Sequence, residues 1–333
     1  MPVIADSDYR PPPLLAGGHL QTILPSLLRI VVGVRYRRER IDTPDGDFLD
    51  LDWIVRGRPG LVVLCHGLEG SSQAVYMKGL ARQLDRSGWD VLALNYRGCS
   101  GAPNRLWRSY HSGATEDLAT VLDHVMRRGT YHALGLVGFS LGGNLVLKFL
   151  GERGARLPAP IRWAAAVSAP CDLKAGALRM AQADNRLYMR RFMRTLSAKV
   201  RNKIHTISDD PRDADRFRGL RTFQAFDDLY TAPAHGFRDA EDYWRQCSAR
   251  FFLAGIRVPT LLINARNDPF LTGACFPWRE ARASAWLHFE APHAGGHVGF
   301  MPRTLIGPYW HERRIAAFAI GIPGTPPDPG GSV

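Results

Sequence analysis

The chain has 333 residues, 45% of them hydrophobic and 22% charged, a balance that excludes an intrinsically disordered chain and is enough for a sizeable core. Its formal net charge of +12 is scattered and accompanied by no nucleic-acid-binding motif, which reads as a basic, solvated surface rather than a nucleic-acid interface. Five cysteines, an odd number without CxxC spacing, argue against a disulfide framework and for a reducing compartment.

The opening MPVIADSDYRPPP lacks a basic start and an apolar core, so it does not read as a secretory signal, and a cytoplasmic protein is expected. The most apolar early segment, 23–34, is broken by Pro25 and Arg29 and falls short of the ~20 residues a spanning helix needs. Residues 1–34 are therefore expected to be an extension packed over the body. Segment 35–55 alternates around the turn Pro44-Asp45-Gly46, the pattern of a β-hairpin. Residues 61–65 (LVVLC) form a short continuous apolar run, as in a strand buried on both faces. A helical stretch at 75–87, a strand at 91–94 and a helix at 115–128 follow, the last with Leu118, Val121, Leu122 and Val125 on one stripe. Then come a strand at 134–137, a helix at 141–151 and a strand at 163–167.

This alternation predicts an α/β fold: a mostly parallel central sheet with helices on both faces. The rhythm stops at 172–250, which is Arg-rich and helical in character without a buried strand run, and which reads as an inserted helical cap. It resumes at 259–264 (PTLLIN) and 286–289, and a helix near 309–320 follows. The core is thus expected at 35–171 and 251–322, with a disordered Pro/Gly tail at 323–333.

Gly138-Phe139-Ser140-Leu141-Gly142 matches G-x-S-x-G directly after a strand-like run and directly before a helix-like one. That context is the one the motif requires, because the serine must sit on a tight strand-to-helix turn while the glycines allow close backbone approach. A serine hydroxyl needs a base, and the base needs an orienting carboxylate. Both follow in the order acid then histidine. Asp268 comes just after the PTLLIN strand, with Asp172 as its rival after the strand at 163–167. His297 lies in the Gly-rich loop 292–300 beyond the last strand, with His293 in the same loop and His288 in the strand before it as competitors. The His293–His297 spacing imitates a zinc pair, yet Ala294 stands where a zinc helix carries Glu, and two glycines break any helix; no metal site is expected there. Leu68, in the loop after the first buried strand, and Leu141, just after the serine, are the expected backbone N–H donors to an oxyanion. His66 reads as shaping that first loop rather than doing chemistry.

Taken together, HLQTI at 19–23, HGLEGSS at 66–72, NYRGCSG at 95–101, YHSGATEDL at 110–118, GFSLGGN at 138–144, SAPCDL at 168–173 and GGHVGF at 295–300 resemble the YheT-like branch of the α/β-hydrolases along nearly the whole chain. The resemblance implies an α/β-hydrolase fold, a serine esterase or lipase-like activity on short- to medium-chain acyl or lipid esters, and Ser140, Asp268 and His297 as its triad. It implies no cofactor. Acyl transfer to an alcohol through the same triad is the alternative within enzymes. A catalytically idle basic scaffold or a nucleic-acid binder is the alternative outside them. The YHSG stretch can bring His111 and Ser112 near the site. The densest basic runs are 35–40 and 190–203; the latter, interleaved with Leu, Phe and Met, suggests peripheral contact with a membrane, against the plainer reading of a helix with one buried face. The sequence leaves the oligomeric state open.

Overall fold

The structure, a computed structural model, describes residues 3–207, 212–304 and 307–325. A nine-stranded sheet in the order β1-β9-β8-β7-β6-β4-β5-β3-β2 forms its centre. The hairpin β2 (Arg37–Asp42) and β3 (Phe48–Ile54) pairs antiparallel, and β3 lies antiparallel to β5 (Asp90–Asn95). The rest is parallel: β5 with β4 (Gly60–Cys65), β4 with β6 (Ala133–Phe139), then β7 (Ile161–Val167), β8 (Thr260–Ile263) and β9 (Leu287–Glu290). The expected strands are all present at these places. One more is added: β1 (Val3–Ile4) pairs parallel to β9 at the edge, so the extension enters the sheet. A two-residue strand is too short to show any periodicity.

The unbroken hydrophobicity of β4 follows from its two covers. Leu61, Val63 and Cys65 face one core with α3 (Thr115–Arg127) and α4 (Leu141–Arg153), while Val62 and Leu64 face the other with α2 (Val75–Arg86) and α12 (Trp310–Ile320). From β4 the chain goes through α2 to β5 on one side and later returns through α3 to β6 on the other. Neighbouring strands β4 and β6 thus send their following helices to opposite faces. This is a topological switch point, where the loops beyond the strand ends part and leave a crevice. All five cysteines are buried and free, and burial pushes the Cys65 thiol up to about 12, in keeping with small hydrophobes.

Between β7 and β8 the described chain is helical: α5 (Leu173–Met180), α6 (Arg186–Ile207), α7 (Arg212–Asp215), α8 (Phe223–Phe226), α9 (Ala232–His235) and α10 (Ala240–Cys247). Met189, Met193, Leu196 and Val200 of α6 share a separate small core with Phe226 and Tyr230. The basic run 190–203 is therefore a helix with one buried face. The extension holds α1 (Gly18–Leu28), and α11 (Trp278–Ala283) precedes β9. Of the tail expected at 323–333, residues 323–325 turn back with Thr325 Oγ1 donating to Ala319 O at 2.9 Å, and 326–333 lie outside the described residues.

The hairpin turn is tied to the sheet by one buried cation. Arg97, 1% exposed, pairs with Asp45 at 2.8 Å, Asp47 at 3.2 Å and Asp117 at 2.6 Å. Removing one partner of a buried charge cluster leaves the others uncompensated. Arg97→Met is expected to lower the unfolding free energy by ~3–5 kcal/mol, read from the urea midpoint. A midpoint equal to that of the wild type would contradict this role.

Candidate active site

Ser140 stands between β6 and α4 at φ 52° and ψ −118°, a region that non-glycine residues rarely occupy. Its amide donates to Val167 O at 2.9 Å, which fixes the turn to β7. The turn can close only because position 142 has no side chain: a Cβ there would strike the carbonyl oxygen of Cys65 at the end of β4. Strain and close approach together hold the Ser140 hydroxyl up at the crevice between β6 and β4.

Asp268 follows β8 through a turn closed by Asp268 N to Ala265 O at 3.1 Å. Its side chain is fully buried, with Oδ1 accepting Phe270 N at 2.9 Å. Oδ2 lies 2.8 Å from His297 Nδ1, and His297 Nε2 lies 2.8 Å from Ser140 Oγ. A carboxylate can only accept, so Nδ1 carries the proton and Nε2 is left to accept from the Ser140 hydroxyl. The structure thus brings together Ser140, Asp268 and His297, whose sequence positions span 157 residues between serine and histidine. The rivals lie elsewhere. Asp172 caps α5 through Ala175 N at 2.9 Å and pairs with Arg250 at 2.6 Å. His293 is exposed, and His288 stays on β9.

The loop after β4 packs directly on the serine. Its Gly67 N donates to Tyr76 OH at 3.0 Å, and Glu69 N donates to Tyr110 OH at 2.8 Å. Glu69 also pairs with Lys199 of α6 at 2.8 Å. Leu68 N makes no hydrogen bond to the protein among the described residues. Leu141 N opens α4, where a helix leaves its first N–H groups unpaired. Leu68 and Leu141 line the same cavity as Ser140 and His297. His66 is buried between Gly67 O, to which Nδ1–H donates at 2.7 Å, and Tyr96 N, which donates to Nε2 at 3.3 Å. Burial pushes it down to about 3, so it is a neutral bracket for the loop.

The cavity measures about 740 Å³. Leu173, Met180, Phe192, Leu196, Phe223 and Phe270 form apolar walls, most of them from the helices between β7 and β8. Phe270 also lies against the His297 ring, centroids 4.3 Å apart. His111 and Ser112 line the cavity as well. Ser112 is held by Tyr243 OH, which accepts its N–H at 2.9 Å, and by Asn144 Nδ2, which donates to its carbonyl at 2.9 Å. His111 is buried and pushed well below the ordinary histidine range by that burial.

Sequence reasoning missed what holds the histidine loop. Thr22 Oγ1 on α1 accepts His297 N at 2.9 Å, and Gln21 Oε1 accepts Met301 N at 3.0 Å. Asn267, beside Asp268, accepts Gly296 N at 3.0 Å and donates to Ala16 O at 2.7 Å. The two backbones touch: a Cβ at Gly299 would strike Gln21 O. The HLQTI segment carried this signal in its polar Gln-Thr pair, but spacing alone cannot reveal a contact across 275 residues.

The model of the α/β hydrolase fold family matches residues 60–303. The chain is 40% identical over 304 residues to "Putative esterase YheT" of Escherichia coli (strain K12), covering 89% of this chain and 88% of that protein. It is 27% identical over 305 residues to the monoacylglycerol lipase of Saccharomyces cerevisiae, covering 88% of this chain and 66% of that one. Among solved structures it is similar to a Pyrococcus furiosus esterase, with a TM-score of 0.58 at 19% identity over 85% of this chain and 90% of that chain, a likeness of fold.

The Thr22 contact makes a separable prediction. Thr22→Val removes the acceptor for His297 N without changing bulk, and is expected to slow labelling of Ser140 by a fluorophosphonate about tenfold, the worth of one hydrogen bond. Thr22→Ser is expected to restore most of the rate. Equal rates for threonine and valine would show that the contact does not position the imidazole.

Proposed function

The chain belongs to the α/β-hydrolase fold family, in its YheT-like branch, and on that premise we propose that it cleaves carboxylic esters of aliphatic acyl groups through an acyl-enzyme on Ser140. The observation that carries this reading is the continuous relay Asp268–His297–Ser140, with 2.8 Å at both steps and the imidazole proton directed to the carboxylate. Its relatives in the comparison are named as an esterase and a lipase, which supports ester hydrolysis as the reaction class.

In this reading Ser140 Oγ attacks the ester carbonyl as its proton passes to His297 Nε2. The oxyanion that forms accepts the N–H groups of Leu68 and Leu141, each worth ~3–4 kcal/mol of transition-state stabilisation. Asp268 stabilises the imidazolium. That imidazolium then protonates the departing alkoxide, leaving an ester on Ser140. Water, deprotonated by the same imidazole, attacks the acyl-enzyme, and the imidazolium returns its proton to Ser140 Oγ as the acid leaves. Nucleophile, base and oxyanion donors all come from the chain, so the steps as written use no cofactor.

The apolar cavity beside Ser140 favours short- to medium-chain acyl or lipid esters. The described part of 172–250 acts as a cap that walls this cavity, over a core drawn from the described parts of 35–171 and 251–322.

Hydrolysis of p-nitrophenyl esters of increasing acyl length tests the reading. The wild type is expected to turn over esters that the cavity can house, and Ser140→Ala to lose more than about a thousandfold in kcat. Comparable turnover by the two proteins would refute it.

A further inference from the structure

The outer side of α1 and the segment after it expose a run of large aliphatic side chains. Leu20, Ile23, Leu27, Leu28, Ile30 and Val32 all face solvent, Leu27 and Leu28 about 70% exposed and Ile30 84%. The inner side of the same helix is the one that buries Gln21 and Pro25 and holds His297 through Thr22. So many large aliphatic side chains in thirteen consecutive residues form a patch rather than the single exposures common on monomers. No helix among the described residues is long and apolar enough to cross a membrane.

A row of exposed arginines adjoins this patch. The start of α6 meets α1 where His19 Nδ1 lies 3.2 Å from Tyr188 OH, their rings stacked at 5.8 Å, and where His19 Nε2 lies 4.0 Å from Asp184. From there α6 exposes Arg186, Arg190, Arg191 and Arg194, with Leu187 77% exposed among them. Residues 186, 190 and 194 recur at helical spacing, along one stripe. None of these four guanidinium groups has a hydrogen-bonding, ionic or ring partner among the described residues. At the other end of the patch Arg82 Nη1 reaches Val32 O at 3.5 Å.

We propose that α1 and the arginine row of α6 form a surface that docks on an anionic phospholipid bilayer. The aliphatic side chains enter the boundary between headgroups and acyl chains, and the arginines pair with lipid phosphates. Charge decides between this occupant and a second copy of the chain. A symmetric dimer through this face would set two unpaired arginine rows against each other on bodies of net charge +12, whereas an anionic membrane neutralises them. The sequence hint of membrane contact at 190–203 is thereby reassigned: the apolar side of α6 is buried in its own core, and the lipid-facing apolar surface is supplied by α1. Docking there places the bilayer about one helix diameter, ~10 Å, from the His297 loop. A lipid ester can then reach Ser140 from the membrane, a consequence that rests on the ester-hydrolase reading.

Co-sedimentation with sucrose-loaded vesicles tests the surface without any turnover. The wild type is expected to partition at least about tenfold more onto vesicles of phosphatidylcholine mixed with phosphatidylglycerol than onto phosphatidylcholine alone, and to detach as salt rises. Leu27→Asp with Ile30→Asp, and separately Arg190→Glu with Arg194→Glu, are each expected to reduce that binding about tenfold at an unchanged thermal midpoint, since all four side chains are exposed. Indifference to lipid charge, or full binding by both double variants, would overturn the proposal. So would a wild-type dimer that Leu27→Asp with Ile30→Asp dissociates while vesicle binding is absent. Vesicle binding by a protein that turns over no ester would sink the function reading and leave the docking surface standing.

Discussion

An imidazole can relay a proton only when both of its nitrogens are committed, and here His297 is held so from two sides at once. Asp268 accepts the hydrogen bond from Nδ1–H, which fixes the tautomer and turns Nε2 toward Ser140. The carboxylate is buried, so its bond to the ring does not compete with water. Behind the ring the backbone of the loop is bonded to α1, through Thr22 at residue 297 and Gln21 at residue 301. The arrangement depends on where the sheet ends. β6, β8 and β9 run parallel, so the turn bearing Ser140, the turn bearing Asp268 and the loop bearing His297 all emerge at one edge.

Around that relay the fold separates two jobs. The loop after β4 and the start of α4 line the crevice beside Ser140, while the helices between β7 and β8 supply apolar walls. The two are joined by Lys199 of α6, which pairs with Glu69 next to Leu68. A shift of α6 would therefore be felt in the loop bearing Leu68 as well as in the cavity. α1 likewise has two sides with different work: the inner one braces the histidine loop, and the outer one is aliphatic and uncovered.

The sheet was legible because burial on both faces leaves continuous apolar runs such as 61–65, and the relay because a strained serine turn, a carboxylate after a later strand and a glycine-flanked histidine each carry a local signature. Asp172 and His293 resembled their counterparts locally and were separated from them only by chain order and loop position. What could not be read was long-range and carried by single hydrogen bonds: the pairing of Val3 with Phe289, and the hold of Thr22 on His297. The side that an amphipathic segment buries was equally hidden. The basic run of α6 proved to bury its apolar residues, while α1 and the residues just after it left several of theirs outside.

The relay and the two amide donors make one joint commitment about geometry, and a crystal structure of the protein after reaction with a fluorophosphonate would examine it directly. The account predicts a phosphonyl group on Ser140 Oγ, with its phosphoryl oxygen about 3 Å from both Leu68 N and Leu141 N and the His297 imidazole still bonded to Asp268. A modified residue other than Ser140, or a phosphoryl oxygen directed away from both amides, would contradict it.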